Sequence, residues 1–349
     1  MAMKKASLFI GFLSLMALVL LTSCSSRDTV ILPEIPPPKV GLISGVGGFN
    51  DRGFNQSALM GLQSAAKDLG LITASRESID TSDFRPNIDS LIHDGYNLII
   101  LLGYEAADAV LSAAISNPAV NFVLLDFSNV DIPSNLLYYI FQVDQSAFLC
   151  GFVAAYWAQF KDPQGPLAGW IGGMDVPVIR QFRIGYEGGI NYFNTRYQKA
   201  VGSSGFFATS FSDTLQGAEL ADSLILLGAD VIFPFAGKTG NGALYKIREK
   251  AKWGIGADFD QYVSIPEVSG ILITSCLKKM NNAVYNIIYH VKKEGFAGQK
   301  IGYGNLSTVD IEIAPFHDYD AQIPDSIKNE LNSIRAGINN GSIHTGWSR

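Results

Sequence analysis

Short runs rich in β-branched and apolar residues alternate along most of this chain with longer stretches in which apolar residues recur at helical spacing. Val40 to Ser44 reads as a strand, and after a glycine-rich turn Ala58, Leu62, Ala65 and Leu69 repeat every three to four positions, with Leu59 and Ala66 widening the stripe. Asn97 to Gly103, Asn121 to Asp126 and Leu136 to Phe141 are further apolar strands, separated by helical stretches such as Glu105 to Ser116. This is the rhythm of βαβ units built on a parallel sheet.

After Val143 the rhythm starts again. A helix through Phe148 to Phe160, a strand at Leu167 to Ile171, a helix through Val178 to Tyr192 and a strand at Gly205 to Phe211 come first. A helix over Leu215 to Leu227 and strands at Val231 to Phe235 and Trp253 to Ala257, with a helix between them, complete a second α/β unit. Gly270 to Ser275 and Leu277 to Lys293 add one more strand and helix, and Pro324 to Asn340 is a final amphipathic helix. No repeat in the sequence marks an internal duplication.

The first residues stand outside this pattern. Lys4 and Lys5 precede an apolar run from Ala6 to Leu21, too short for a membrane span, that ends in Leu21-Thr22-Ser23-Cys24. Residues 1–23 read as a secretory signal, and its end resembles the lipobox of bacterial lipoproteins, in which Cys24 becomes the acylated first residue. An uncleaved anchor helix is the alternative. Residues 24–38, with Ser25, Ser26 and four prolines between positions 33 and 38, read as a tether from lipid to folded body.

Composition narrows the function classes. The 349 residues are 48% hydrophobic and 17% charged, which excludes disorder, collagen and coiled coil. With 26 Lys and Arg against 32 Asp and Glu the chain is acidic, so it carries no electrostatic footprint for nucleic acid. Cys150 and Cys276, far apart and each in an apolar context, read as buried thiols rather than a disulfide.

Enzyme motifs fail on spacing. Gly45 and Gly47 would need a third glycine where Asn50 stands to form a dinucleotide loop, and Gly237-Lys238-Thr239 would need a glycine in place of Ile232 to form a phosphate loop. His93, His290, His317 and His344 show no metal-ligand spacing, and neither a nucleophile elbow nor a C-x-x-C pair is present. No cofactor and no metal is expected.

Ligands of open parallel sheets bind beyond the carboxyl ends of the strands. Residues there include Phe54 and Asn55 at the start of the first helix, where backbone N–H groups can meet a polar ligand, together with Asp126, Phe233, Asp258, Asp260 and Lys278. Each has a plainer role open to it: Phe54 as a core anchor, at least one of Phe233 and Phe235 in the core by strand alternation, and the aspartates as helix caps.

Taken together, Gly47-Gly48-Phe49-Asn50-Asp51 with Phe54-Asn55-Gln56-Ser57, Gly172 to Ile179, Ala229 to Phe233 followed by Gly240-Asn241-Gly242, Ile255 to Asp258 with Asp260-Gln261, and Thr274-Ser275 with Leu277-Lys278-Lys279 resemble the basic membrane protein family. These are solute-binding lipoproteins of ABC importers for purine nucleosides. The resemblance runs in order over nearly all of residues 39 to about 300. It implies the type I periplasmic-binding fold, two Rossmann-like lobes joined by three crossovers. The first lobe would comprise residues 39–142 with 264–303, and the second 143–263 with 304–349.

The resemblance further implies a purine held between Phe54 and Phe233, one from each lobe, with Asn55, Asp126, Asp258 and Lys278 on the ribose and the base edge. A one-residue slip would put Lys279 in place of Lys278. Such a protein is a monomer anchored by lipid (palmitate) on Cys24 at the extracytoplasmic or periplasmic face of the cell membrane. It hands its nucleoside to an ABC permease and ATPase. Paired aspartates favour a nucleoside over a nucleotide. One departure stands out: the family carries an Asp two residues before the Gly-Gly pair, where this chain has Gly45, which bears on base preference and affinity. The competing classes are an enzyme acting on nucleosides through Asp126 or Asp258, and a surface lipoprotein that reuses the scaffold as antigen, adhesin or sensor.

Overall fold

A computed structural model describes residues 37–348. Cys24 and the segment 1–23 read as a secretory signal lie outside the described residues. In the first lobe, strands β1 (Val40–Val46), β2 (Thr73–Ser78), β3 (Leu98–Leu102), β4 (Asn121–Leu125) and β5 (Leu136–Phe141) alternate with helices α1 (Phe54–Leu69), α2 (Phe84–His93) and α3 (Ala107–Ser116). The second lobe opens with α4 (Val143–Lys161), β6 (Leu167–Gly172), α5 (Pro177–Tyr197), β7 (Gly202–Phe207) and α6 (Thr214–Leu226). It continues through β8 (Val231–Phe235), α7 (Gly237–Glu249), β9 (Trp253–Asp258), the single turn α8 (Gln261–Ser264) and β10 (Leu272–Lys278). Helix α9 (Met280–Glu294), β11 (Lys300–Gly304), β12 (Ile311–Ile313) and α10 (Asp325–Asn339) complete the chain.

The strands form two six-stranded sheets of the same winding, β11-β5-β4-β3-β1-β2 and β12-β10-β9-β8-β6-β7. All pairs are parallel except β12, which runs antiparallel to β10. The lobes therefore share a topology that no sequence repeat betrays. Strands covered on both faces can afford no polar side chain, which is why β3 reads LIILL with every residue buried. Its alternation still sorts the faces: Ile99 and Leu101 pack under α2 and α3, while Leu98, Ile100 and Leu102 belong to the core that runs through α1 and α9.

Four strands, β2, β7, β11 and β12, depart from the pattern reading, and all are sheet edges. β2 reads TASRES, is half exposed and carries no apolar signal. β7 lies at Gly202–Phe207 rather than 205–211, which leaves Phe211 in the loop that follows. An edge strand with one solvated side need not be apolar, so hydrophobic runs understate it.

The lobe boundaries also need correction. The strand and helix after residue 264 were expected to return together to the first lobe, but β10 is an inner strand of the second sheet, between β9 and β12. Only α9, which packs on α1, and β11, which pairs with β5, belong to the first lobe. The chain thus crosses between lobes after β5, after β10 and between β11 and β12. A strand followed by a helix looks the same in sequence whether or not the hinge falls between them. The crossings are tied to one another. The Lys279 N–H donates to the Asp310 carbonyl (2.7 Å), the Gln142 N–H to the Gly304 carbonyl (2.8 Å), and the Tyr139 hydroxyl to Asp310 Oδ2 (2.7 Å).

Helix α4 is apolar on nearly all sides because it is enclosed on nearly all sides, by the second sheet, α5 and α10. It meets α5 backbone to backbone through glycines. A Cβ on Gly189 would lie 1.9 Å from the Phe148 carbonyl oxygen, and one on Gly151 1.9 Å from that of Tyr186. Cys276 lies beside α4, its thiol 3.3 Å from Ser146 Oγ, and burial pushes the Cys150 thiol well above its ordinary pKa. Gly189→Ala is expected to lower the unfolding free energy by about 1–3 kcal/mol or more through overpacking. Urea titration of the variant beside the parent protein measures it; an unchanged midpoint would show that the helices can separate at no cost.

Candidate functional site

The sheets point their carboxyl edges at each other across a cavity of about 210 Å³. Phe54, Asn55, Asp126, Asp258 and Lys278 all line it. Lys278 ends β10 and is only 3% exposed, yet it carries an ammonium group, which burial penalises unless it is paired. The pairing comes from both lobes: Lys278 Nζ donates to Asp126 Oδ2 at 2.8 Å and stands 4.0 Å from Asp258 Oδ1. The cation also lies over aromatic faces, 5.1 Å from the Phe54 ring centre and 5.3 Å from that of Phe182. The neighbouring Lys279 does not line the cavity, so the lysine at the site is Lys278.

Asp126 follows β4 and Asp258 ends β9, equivalent strands of the two sheets, and both have left-handed backbone (φ 72° and 65°). That conformation is unusual for a residue bearing a Cβ, and it turns each carboxylate off the end of its strand into the cavity. Burial pushes the Asp258 carboxyl up to about 6. The Lys278 ammonium opposes that rise, while the negative charges of Asp126 and Asp51 add to it.

The start of α1 is arranged differently from expectation. Its N–H groups do not wait for a ligand, because Asp51 takes them: its carboxylate accepts from Gly53 (3.0 Å), Asn55 (2.7 Å) and Gln56 (3.0 Å). Burial raises the Asp51 pKa against the pull of these three bonds. Asn55 accepts from the Gly45 N–H at 2.8 Å through Oδ1, which leaves its Nδ2 as the donor toward the cavity. A Cβ on Gly45 would stand 3.1 Å from that Oδ1 and 3.2 Å from the Leu102 carbonyl oxygen, so a larger residue there would press on Asn55.

Phe233 is the residue that the structure does not bring to the site. It is 0% exposed and does not line the cavity; its ring packs against Tyr186 (5.4 Å between centres), Phe235 (4.9 Å) and Phe182 (6.2 Å). Strand alternation puts Phe233 and Phe235 on one face, and only Phe235, nearer the carboxyl end of β8, reaches the wall. Of the second lobe's phenylalanines on the cavity, Phe182 and Phe235 are buried in the core, whereas Phe211 is half exposed. Its ring covers Gly173, where a Cβ would lie 2.1 Å from the ring edge, and its carbonyl accepts from the Thr239 N–H at 3.2 Å.

Glu105 and Tyr104, just past β3, line the cavity as well. The strand-end rule that found Asp126 would have found them. Phe211 was hidden by the overlong strand drawn through it.

The rim is closed by bonds between lobes. Lys238 Nζ donates to the Gly47 carbonyl (2.8 Å), Asn241 Nδ2 to that of Asp51 (3.0 Å) and Ser264 Oγ to that of Arg52 (2.9 Å), with an Arg52–Glu267 ion pair outside them (3.1 Å). Among the described residues, no three His, Cys, Asp or Glu side chains converge as a metal site would require.

The two lobes thus share an aromatic and acidic cavity between them. Residues 39–343 match the family model for the ABC transporter substrate-binding protein PnrA-like family. The chain belongs to this family. Basic membrane protein A1 of Borrelia garinii subsp. bavariensis is 30% identical over 332 residues, 93% of this chain and 92% of that one. The ABC transporter nucleoside-binding protein BmpA of Lactococcus lactis subsp. cremoris is 29% identical and covers 96% of this chain and 98% of its own. Among solved structures, an ABC transporter system solute-binding protein from Aeropyrum pernix superposes with a TM-score of 0.80 at 23% identity, over 88% of this chain and 92% of that one, a likeness of fold.

Two consequences are testable in this PnrA-like protein. Phe233→Ala removes a core ring and is expected to cost about 3–5 kcal/mol of stability; a loss below about 1 kcal/mol, read by denaturant titration, would return Phe233 to the cavity. Asp258, with its carboxyl raised above the unfolded value, holds its proton better in the folded chain. Its contribution to stability is full below pH about 4 and lost as pH rises through about 6. Between those limits Asp258→Asn should flatten the fall in stability by up to about 3 kcal/mol; parallel melting curves of variant and parent across pH 4 to 7 would sink the assignment.

Proposed function

We propose that this protein is the lipid-anchored receptor of an ABC importer and that it captures a purine nucleoside between its lobes. The observation that carries the reading is the cavity itself: partly buried rings, Phe54 and Phe211, line it from opposite lobes beside a buried ammonium shared by carboxylates from each lobe. A flat heterocycle between Phe54 and Phe211 gains about 1–3 kcal/mol per stacked face, whatever the base. Phe211 takes the part that the family resemblance had assigned to Phe233.

The polar groups suit a sugar. Lys278 with Asp126 and Asp258 offers a donor between acceptors, which is what vicinal hydroxyls, each both donor and acceptor, need. Four carboxylates, Asp51, Glu105, Asp126 and Asp258, line the cavity against two ammonium groups, Lys238 and Lys278, so a phosphate would be repelled. The name of the Lactococcus relative, a nucleoside-binding protein, supports the same ligand class.

Binding works by differential affinity. The rim bonds exist only when the lobes meet, and a ligand touching both lobes favours that state over an open one. The closed receptor then docks on its permease, and the nucleoside leaves chemically unchanged. Anchoring through lipid on Cys24 would keep the receptor at the extracytoplasmic face.

Purine nucleosides are expected to raise the melting temperature of protein beginning after Cys24, and Phe54→Ala or Phe211→Ala to weaken binding about 10- to 100-fold in calorimetry. Affinity unchanged in both variants would refute the ring sandwich. Conversion of inosine or guanosine during incubation, followed by absorbance, would replace the receptor with an enzyme.

A further inference from the structure

Three of the four cavity carboxylates have a partner within the protein. Asp126 and Asp258 share Lys278, and Asp51 is spent on the helix N-terminus. Glu105 stands apart: no ion pair among the described residues involves it. Burial and the negative charge of Asp126 both make its ionised form less comfortable.

The backbone makes room for this group. Gly103, at φ 87°, precedes it, and Glu105 Oε2 lies 2.7 Å from where a Cβ on Gly103 would be. The glycine has no Cβ to collide with the carboxylate and adopts a conformation that other residues resist. Beside it, Tyr104 reaches across the cleft, its hydroxyl 3.9 Å from Met174 Sδ of the second lobe. Glu105 is therefore held in the interlobe wall of the cavity.

We infer that Glu105 is the residue that reads the base, accepting hydrogen bonds from the N–H edge of a 6-oxopurine nucleoside such as guanosine or inosine. The inference rests on the nucleoside reading above and deepens it. An ionised carboxylate only accepts. The ribose hydroxyls are served by the mixed donor and acceptor set around Lys278, so the acceptor that remains suits a group that only donates. Guanine offers N1–H and the 2-amino group side by side, and hypoxanthine offers N1–H. Adenine presents N1 as an acceptor beside its 6-amino group, so a carboxylate gains one bond and meets one lone pair.

A glutamine at the same place carries one acceptor and one donor, the pattern that an amide uses to pair with adenine. Calorimetry of guanosine, inosine and adenosine binding to the parent protein and to Glu105→Gln separates the possibilities. The parent is expected to bind guanosine and inosine about tenfold or more tightly than adenosine. Glu105→Gln should weaken guanosine and inosine about tenfold or more and leave adenosine unchanged or improved. Equal loss for all three, or no change for any, overturns the role of Glu105 while the nucleoside reading stands. Failure of the parent to bind any of them overturns both.

Discussion

A buried positive charge is the constraint on which the cleft depends. An ammonium group withdrawn from water costs several kcal/mol unless its surroundings replace the lost hydration. Lys278 finds that replacement only where the lobes face each other, in Asp126 of the first lobe and Asp258 of the second. The balance is incomplete in an informative way. The closer Asp126 neutralises the charge, and Asp258, at 4.0 Å and largely enclosed, is left with a carboxyl raised to about 6.

The architecture places these groups by repetition rather than by special loops. The two sheets share one strand order, and the aspartates emerge from equivalent strands in the same left-handed conformation. Around this polar centre the rings are divided between lobes, and the rim is sealed by side chains of the second lobe on backbone carbonyls of residues 47–52. Because Asp51 satisfies the first turn of α1 from within, the positive end of that helix is not offered to an anion.

The buried parts of this arrangement were written in the sequence and the exposed parts were not. Strands such as β3 and β5 are legible because burial on both faces demands continuous apolar runs. β2, a polar edge, left no such trace, and neither did the true end of β7, which is why Phe211 was read as part of a strand. The placement of β10 was illegible for a different reason: local pattern specifies a strand but not its sheet. At the site, Asn55, Asp126, Asp258 and Lys278 follow from looking past strand ends. Phe233 misled because alternation names a face of the sheet and leaves open how far along the strand the cavity begins. Asp51 was missed because a carboxylate two residues outside a helix shows its capping role only in three dimensions.

Lys278 is the last residue of β10, and the next peptide is already the hinge, where the Lys279 N–H holds the carbonyl of Asp310 on another crossing strand. The ammonium in the cavity wall and the crossing between lobes are thus carried by adjoining residues. Helix α9 starts two residues after Lys278 and packs on α1 of the opposite lobe, so one short stretch of chain links the cavity wall, a lobe crossing and the helix layer of the first lobe.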